Sequence, residues 1–213
     1  MIWAILVLLL AMVVGGIPYL IVIVKTCRAK DWRKLKRVIA YPAVGAVVLL
    51  GVGRFSDYMV YRRNMERVFD TSVTMTRPIF KYNSERGFNG DGYSFAVYPL
   101  PDSIRHRFEE ADRRPFKGAP ERPSYRDHWK TYPWHEGPFD PAWKEHLDFA
   151  LSRLDSDKEP RLEPYFSSLR SALGRKQTWY AFFYHDPGDH PGNIDFFVVD
   201  LESGHLYQIN HNT

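Results

Sequence analysis

Residues Ile2 to Val24 run for 23 positions without a charged side chain. A helix of that length, rising about 1.5 Å per residue, crosses a hydrocarbon core of about 30 Å. A buried helix of a soluble domain carries a polar stripe, and this run has only Tyr19. No charged residue precedes the run and basic residues follow it. That is the reverse of a cleaved secretory signal, so the run is expected to stay in place as a membrane anchor.

A second apolar run, Val38 to Gly53, has 16 residues. Snorkelling by Arg54 and an aromatic belt of Phe55, Tyr58 and Tyr61 lengthen its effective span, with Pro42 expected in its first turn. A second crossing is therefore expected; a re-entrant or interfacial segment is the alternative. The connector, residues 25–37, holds Lys25, Arg28, Lys30, Arg33, Lys34, Lys36 and Arg37 against one acid, Asp31. Short loops of this kind stay cytoplasmic. The expected topology is a two-span protein of a bacterial inner membrane, with the N-terminus and the C-terminal domain in the periplasm. The expected organisation is an anchor over 1–54, a stem over 55–82 and a soluble domain over 83–213.

The connector also distorts the overall charge of +4. Seven of the 29 basic residues and one of the 25 acids lie in it, leaving 22 and 24 for residues 54–213. A near-neutral domain gives no electrostatic case for nucleic acid as a partner. The only cysteine, Cys27, is in the connector, which removes thiol catalysis from the outer domain.

The periodicity predicts an α+β domain. Arg54 to Thr76 reads as a helical stem continuing the second apolar run, with Tyr58, Tyr61, Met65, Val68 and Phe69 at helical spacing. Asn89-Gly90-Asp91-Gly92 is a turn leading into a strand over Tyr93 to Leu100, in which Ser94 and Ala96 face away from Tyr93, Phe95 and Val97. Short helices are predicted from Asp102 to Asp112, after Asp140-Pro141, and from Glu163 to Leu173 with Gly174 as its stop. Three further strands, Thr178 to Tyr184, Asn193 to Leu201 and His205 to Asn210, end the chain, the last two as a hairpin. About four mostly antiparallel strands with helices on one face are expected. Residues 113–141 are rich in both proline and aromatics and read as one long ordered loop.

Catalytic grammar is sparse. His185, Asp186, Asp189 and His190 offer two imidazoles and two carboxylates on one loop, the only arrangement resembling a metal site. It lacks the i, i+4 histidine pair or spaced cysteines of zinc sites, and a polar hairpin loop explains the same residues. No GxSxG elbow or phosphate-binding glycine pattern is present, so no cofactor is expected and the domain is not read as an enzyme. Tyr125, Trp129, Tyr132, Trp134 and Trp143 form an aromatic cluster suited to protein contact; the alternative is that they pack the long loop onto the sheet.

The segments from Gly87 to Leu100 and from Asn193 to Asn210 resemble those of small bacterial membrane-anchored envelope proteins. Many proteins of that kind are immunity proteins. The resemblance implies a binding or inhibitory role toward a protein partner, a toxin or effector acting at the envelope. An envelope structural or assembly factor is the second expectation, and a metal-dependent hydrolase using the 185–190 loop the third.

Overall fold

The structure, a computed structural model, describes residues 18–85, 87, 91–116, 118–152, 160–188 and 190–213. Most of the first expected span, residues 2–17, lies outside that set, as do Asn89, Gly90 and Asp189. The chain divides into two units, Met1–Met59 and Val60–Thr213.

In the first unit residues 18–28 are helical, and the Tyr19 hydroxyl donates to the Val38 carbonyl at 2.7 Å. Helix α1, Trp32–Phe69, starts where the Asp31 carboxylate accepts from the Lys34 amide at 3.0 Å. That early start places Pro42 inside the helix rather than in its first turn. Among the described residues α1 is the one helix long and apolar enough to cross a membrane, and none of its apolar window is buried. Val44, Val47, Val48, Leu49, Leu50 and Val52 all stand exposed. A core helix of a soluble protein buries such residues, and their exposure here makes α1 a candidate membrane span by length and composition.

The second unit is built on a six-stranded antiparallel sheet in the order β1-β2-β6-β5-β4-β3. The strands are β1 Phe80–Asn83, β2 Gly92–Pro99, β3 Lys130–Glu136, β4 Thr178–His185, β5 Asn193–Asp200 and β6 His205–Asn212. The four expected strands form its centre, and the β5–β6 hairpin is present. The two further strands are its edges. β1 has only four residues, too few for a period to show. β3 contains Pro133, which argues against a central strand but is tolerated at an edge, where one side of the backbone has no ladder to join.

Helices cover both faces of this sheet, not one. The reason lies in β4 and β5. Tyr180, Phe182, Ile194, Phe196 and Val198 join the core on one face, under α4 (Glu163–Leu173). Ala181, Phe183, Phe197 and Val199 join a second core beneath α2 (Asp102–Glu109) and the C-terminal residues of α1. Strands apolar on both sides need cover on both sides. The helix after Asp140-Pro141 forms as expected: the Asp140 carboxylate caps a short 3-10 turn by accepting from the Ala142 amide at 2.9 Å, and α3, Lys144–Ala150, follows.

His211 on β6 is buried against α3. Its Nδ1 lies 2.9 Å from the Phe149 carbonyl, and its ring stacks on Phe149 at 4.2 Å and meets the edge of Tyr93 at 5.3 Å. Burial pushes its pKa below the usual histidine value, against the opposing effect of the Phe149 carbonyl bond. Above about pH 6.5 the ring is neutral in both the folded and the unfolded chain. As pH falls below that value the unfolded chain takes up a proton that the folded one resists, so stability declines with acidification. Urea titrations at pH 7 and pH 5 are expected to show this loss, and His211→Phe is expected to flatten it. An unchanged pH slope in that variant would show that other groups carry the dependence.

Candidate functional site

The five aromatic residues read as one contact cluster lie in different places. A register shift between Tyr132 and His135 lets β3 send Tyr132 to one face of the sheet and Trp134 to the other. Tyr132 stacks on Phe182 at 4.6 Å and receives the edge of Trp143 at 4.8 Å, within the first core. Trp134 sits in the second, 4.7 Å from Phe108 and 5.5 Å from Phe69, and its indole N–H donates to the Val68 carbonyl at 2.8 Å. Trp129 is buried beneath the Arg126 guanidinium, 4.0 Å from its ring. Trp143 is partly buried against the first core. Only Tyr125 stands out in solvent, at 67% exposure. These rings anchor the 113–141 segment to the domain, and one of them is available to a partner.

The histidine loop is tied to α3. Asp186 Oδ1 lies 3.3 Å from His146 Nε2, and His190 Nδ1 lies 3.6 Å from Glu145 Oε1. His185 packs its ring against His128 at 5.1 Å. Among the described residues no group of three or more histidine, cysteine, aspartate or glutamate side chains is placed to hold a metal; Asp189 is outside that set.

The structure instead gathers a groove of about 340 Å³ on the α1 side of the sheet, lined by both polar and apolar side chains. Strand register makes its floor. Asn83 faces Ser94, Ser94 faces Asn210, and Asn210 faces Asp195, so one row of polar side chains crosses β1, β2, β6 and β5. Two residues along, Lys81, Ala96, Gln208 and Phe197 form the adjoining row on the same face. One wall is α1: Tyr61 donates to Gln208 Oε1 at 3.1 Å, and the Gln208 amide nitrogen rests 3.3 Å from the Met65 sulfur. The other wall is the turn Ser124–Arg126, with Pro123 and Tyr125 at its lip.

Charge in the groove is largely self-cancelling. Arg126 forms an ion pair with Asp195, both side chains mostly buried, and Asn210 donates to Asp195 Oδ1 at 2.6 Å. Asn64, Asn83 and Ser94 also line the groove, and among the described residues their side chains form no hydrogen bond. Ser94, Gln208 and Asn210 alternate with the core residues Phe95, Tyr207 and Ile209, so their common sidedness within each strand is readable from the period of two. Their assembly into one surface depends on the strand order, which the period does not reveal.

Compared with known proteins, the chain matches no family model, no curated protein and no solved structure. Fold alone does not specify function, so function is read from the site.

Proposed function

We propose that this chain is a membrane-anchored, non-catalytic binding module of the bacterial envelope that engages its partner through the groove beside Tyr125. One observation carries the binding role: an open groove lined by Asn64, Asn83 and Ser94, whose side chains have no hydrogen-bond partner among the described residues, beside an exposed tyrosine. These side chains are exposed or half-buried and so solvated in the free chain, and a partner that covers them has to replace their water with hydrogen bonds of its own. The exposed apolar length of α1 supports the anchor. Two spans, with the C-terminal unit in the periplasm, belong to the same proposal and are supported by the basic connector 25–37. In its most concrete form the module is an immunity protein that occludes an envelope-acting effector, supported by the resemblance of residues 87–100 and 193–210.

A photo-crosslinking amino acid placed at position 125 of the full-length chain, in its own membrane, tests the site. It is expected to give a discrete adduct, whereas the same group at Lys176, exposed and outside the groove, is expected to give none. No adduct at 125, or identical adducts from both positions, would overturn the groove as the binding surface. A C-terminal reporter active only outside the cytoplasm tests the topology; a silent reporter excludes the two-span arrangement.

A further inference from the structure

The densest charge in the chain lies in the first unit, away from the groove. Lys25, Arg28, Lys30, Arg33, Lys34, Lys36 and Arg37 stand against one acid, Asp31, for a net charge of +6 over residues 25–37. All seven side chains are exposed, and none has an ion-pair partner among the described residues. Asp31 is engaged in starting α1, where its carboxylate accepts from the Lys34 amide. The two helical arms that carry the cations are tied to each other. They meet at a turn in which Lys30 has φ of 52° and the Asp31 amide donates to the Thr26 carbonyl at 3.3 Å, and the Tyr19 hydroxyl bonds the Val38 carbonyl across them at 2.7 Å. Both halves of the cluster are thereby held at one tip.

Depth decides what that tip meets. With α1 as a membrane span, the anchor proposed above, the apolar length begins at Val38 on one arm and ends at Val24 on the other. At about 1.5 Å of rise per residue, Lys25 and Arg28 lie within about 6 Å of Val24, and Arg33, Lys34, Lys36 and Arg37 within about 8 Å of Val38, measured along their helices. The headgroup layer on one side of a bilayer is about 5–8 Å thick. Six of the seven cations therefore stand at the level of the lipid phosphates. Tyr41, exposed one turn inside that level, and Trp32, exposed at its outer side, are residues of the kind enriched at this boundary. A soluble polyanion has to enter the layer to pair with these cations, whereas lipid phosphates already occupy it. Zwitterionic headgroups bring a cation of their own, so a net charge of +6 selects headgroups of net negative charge.

We propose that the tip formed by residues 25–37 binds anionic phospholipid headgroups and gathers them around the anchor in the leaflet it faces.

The test uses the full-length chain reconstituted in phosphatidylcholine vesicles, with electron paramagnetic resonance reading the fraction of a trace spin-labelled lipid held at the protein. Labelled phosphatidylglycerol is expected to associate about fivefold more strongly than labelled phosphatidylcholine, the effect of one lysine or arginine beside each bound headgroup. In 1 M salt, where the Debye length is about 3 Å, the preference is expected to shrink toward unity. The combined variant Arg33→Gln, Lys34→Gln, Lys36→Gln and Arg37→Gln keeps helix-forming residues in place and is expected to lose most of the preference. The matching variant Arg77→Gln, Arg113→Gln, Lys130→Gln and Lys176→Gln, made at exposed cations of the second unit, is expected to retain it. Equal association of the two labels overturns the proposal while the anchor stands, and so does a preference that survives the tip substitutions. Displacement of the labelled phosphatidylglycerol by a double-stranded oligonucleotide at equal phosphate concentration assigns the tip to nucleic acid and overturns it too. Absence of held lipid of either kind removes the membrane span and the proposal together.

Discussion

Replacing Trp134 with alanine is expected to destabilise the C-terminal unit by about 3–5 kcal/mol, the range for deleting a large aromatic from a packed core. Total stabilities of single domains are about 5–15 kcal/mol, so this is a large fraction. The side chain is 7% exposed and lies among Phe69, Phe108 and Phe116, which cannot all move into the vacated volume. A second loss adds to the cavity. Val68 is the penultimate residue of α1, so its carbonyl has no partner within the helix, and the Trp134 indole supplies one at 2.8 Å. Trp134→Phe keeps a ring but not the N–H and is expected to cost less. Tyr125→Ala, by contrast, is expected to shift stability by about 0.5 kcal/mol or less, as surface changes do. Urea unfolding of the full chain, read as a midpoint shift at constant slope, separates these cases. A loss below about 1 kcal/mol for Trp134→Ala would show that the second core is not packed as described.

The contrast between Trp134 and Tyr125 shows why the candidate site was only partly legible in sequence. An aromatic-rich, proline-rich segment announces order, because a disordered linker lacks the apolar surface to fold. It does not announce which rings face inward. That depended on the register shift inside β3, which reverses the sidedness between Tyr132 and Trp134. Pro133 concealed the strand itself. The central strands were legible because Tyr93–Val97, Asn193–Asp200 and His205–Asn210 carry clear period-two or β-branched and aromatic patterns bounded by turns. The groove was not legible, although the polar sides of its strands were. Its polar row joins residues 83, 94, 195 and 210, brought side by side only because β6 lies between β2 and β5.

Helix cover on both faces was under-read for a similar reason. Phe196-Phe197-Val198-Val199 is apolar at every position, and a run of four leaves the number of buried faces undecided. The helix ends on the first core were more accessible, since Asp140 caps and Gly174 stops where the sequence places them, whereas the helix Asp102–Glu109 of the second cover starts after Pro101 without a side-chain cap. A helical stem from Arg54 to Thr76 was expected to continue the second apolar run; α1 does carry on through Tyr61, Met65, Val68 and Phe69, but it stops at Phe69, where Asp70 takes a left-handed φ of 51°.

Where α1 ends, a single charge holds the second core shut, and Asp70→Asn is expected to cost about 3 kcal/mol. Asp70 follows the helix with φ of 51°, a left-handed conformation that asparagine also adopts readily, so the substitution changes the charge and not the backbone. Its carboxylate accepts from Arg107 Nη2 at 2.7 Å and Nε at 3.1 Å. The Arg107 side chain is 2% exposed, beneath the ring of Phe116 at 4.0 Å, and its remaining nitrogen, Nη1, donates to the Arg114 carbonyl at 2.7 Å. Removing the carboxylate charge leaves a buried guanidinium without its counter-ion, and breaking such a pair from one side is the costly way to break it. The Asp70 side chain is 35% exposed, so water offsets part of the loss and the expected figure lies at the low end of the usual range. Changing both partners makes the opposite point. Arg107→Met in the Asp70→Asn background replaces a stranded cation with an apolar chain of similar length against Phe116, and is expected to recover most of the stability. If the double variant is as unstable as Asp70→Asn alone, the cost lies in the lost packing and hydrogen bonds of Arg107, not in its uncompensated charge.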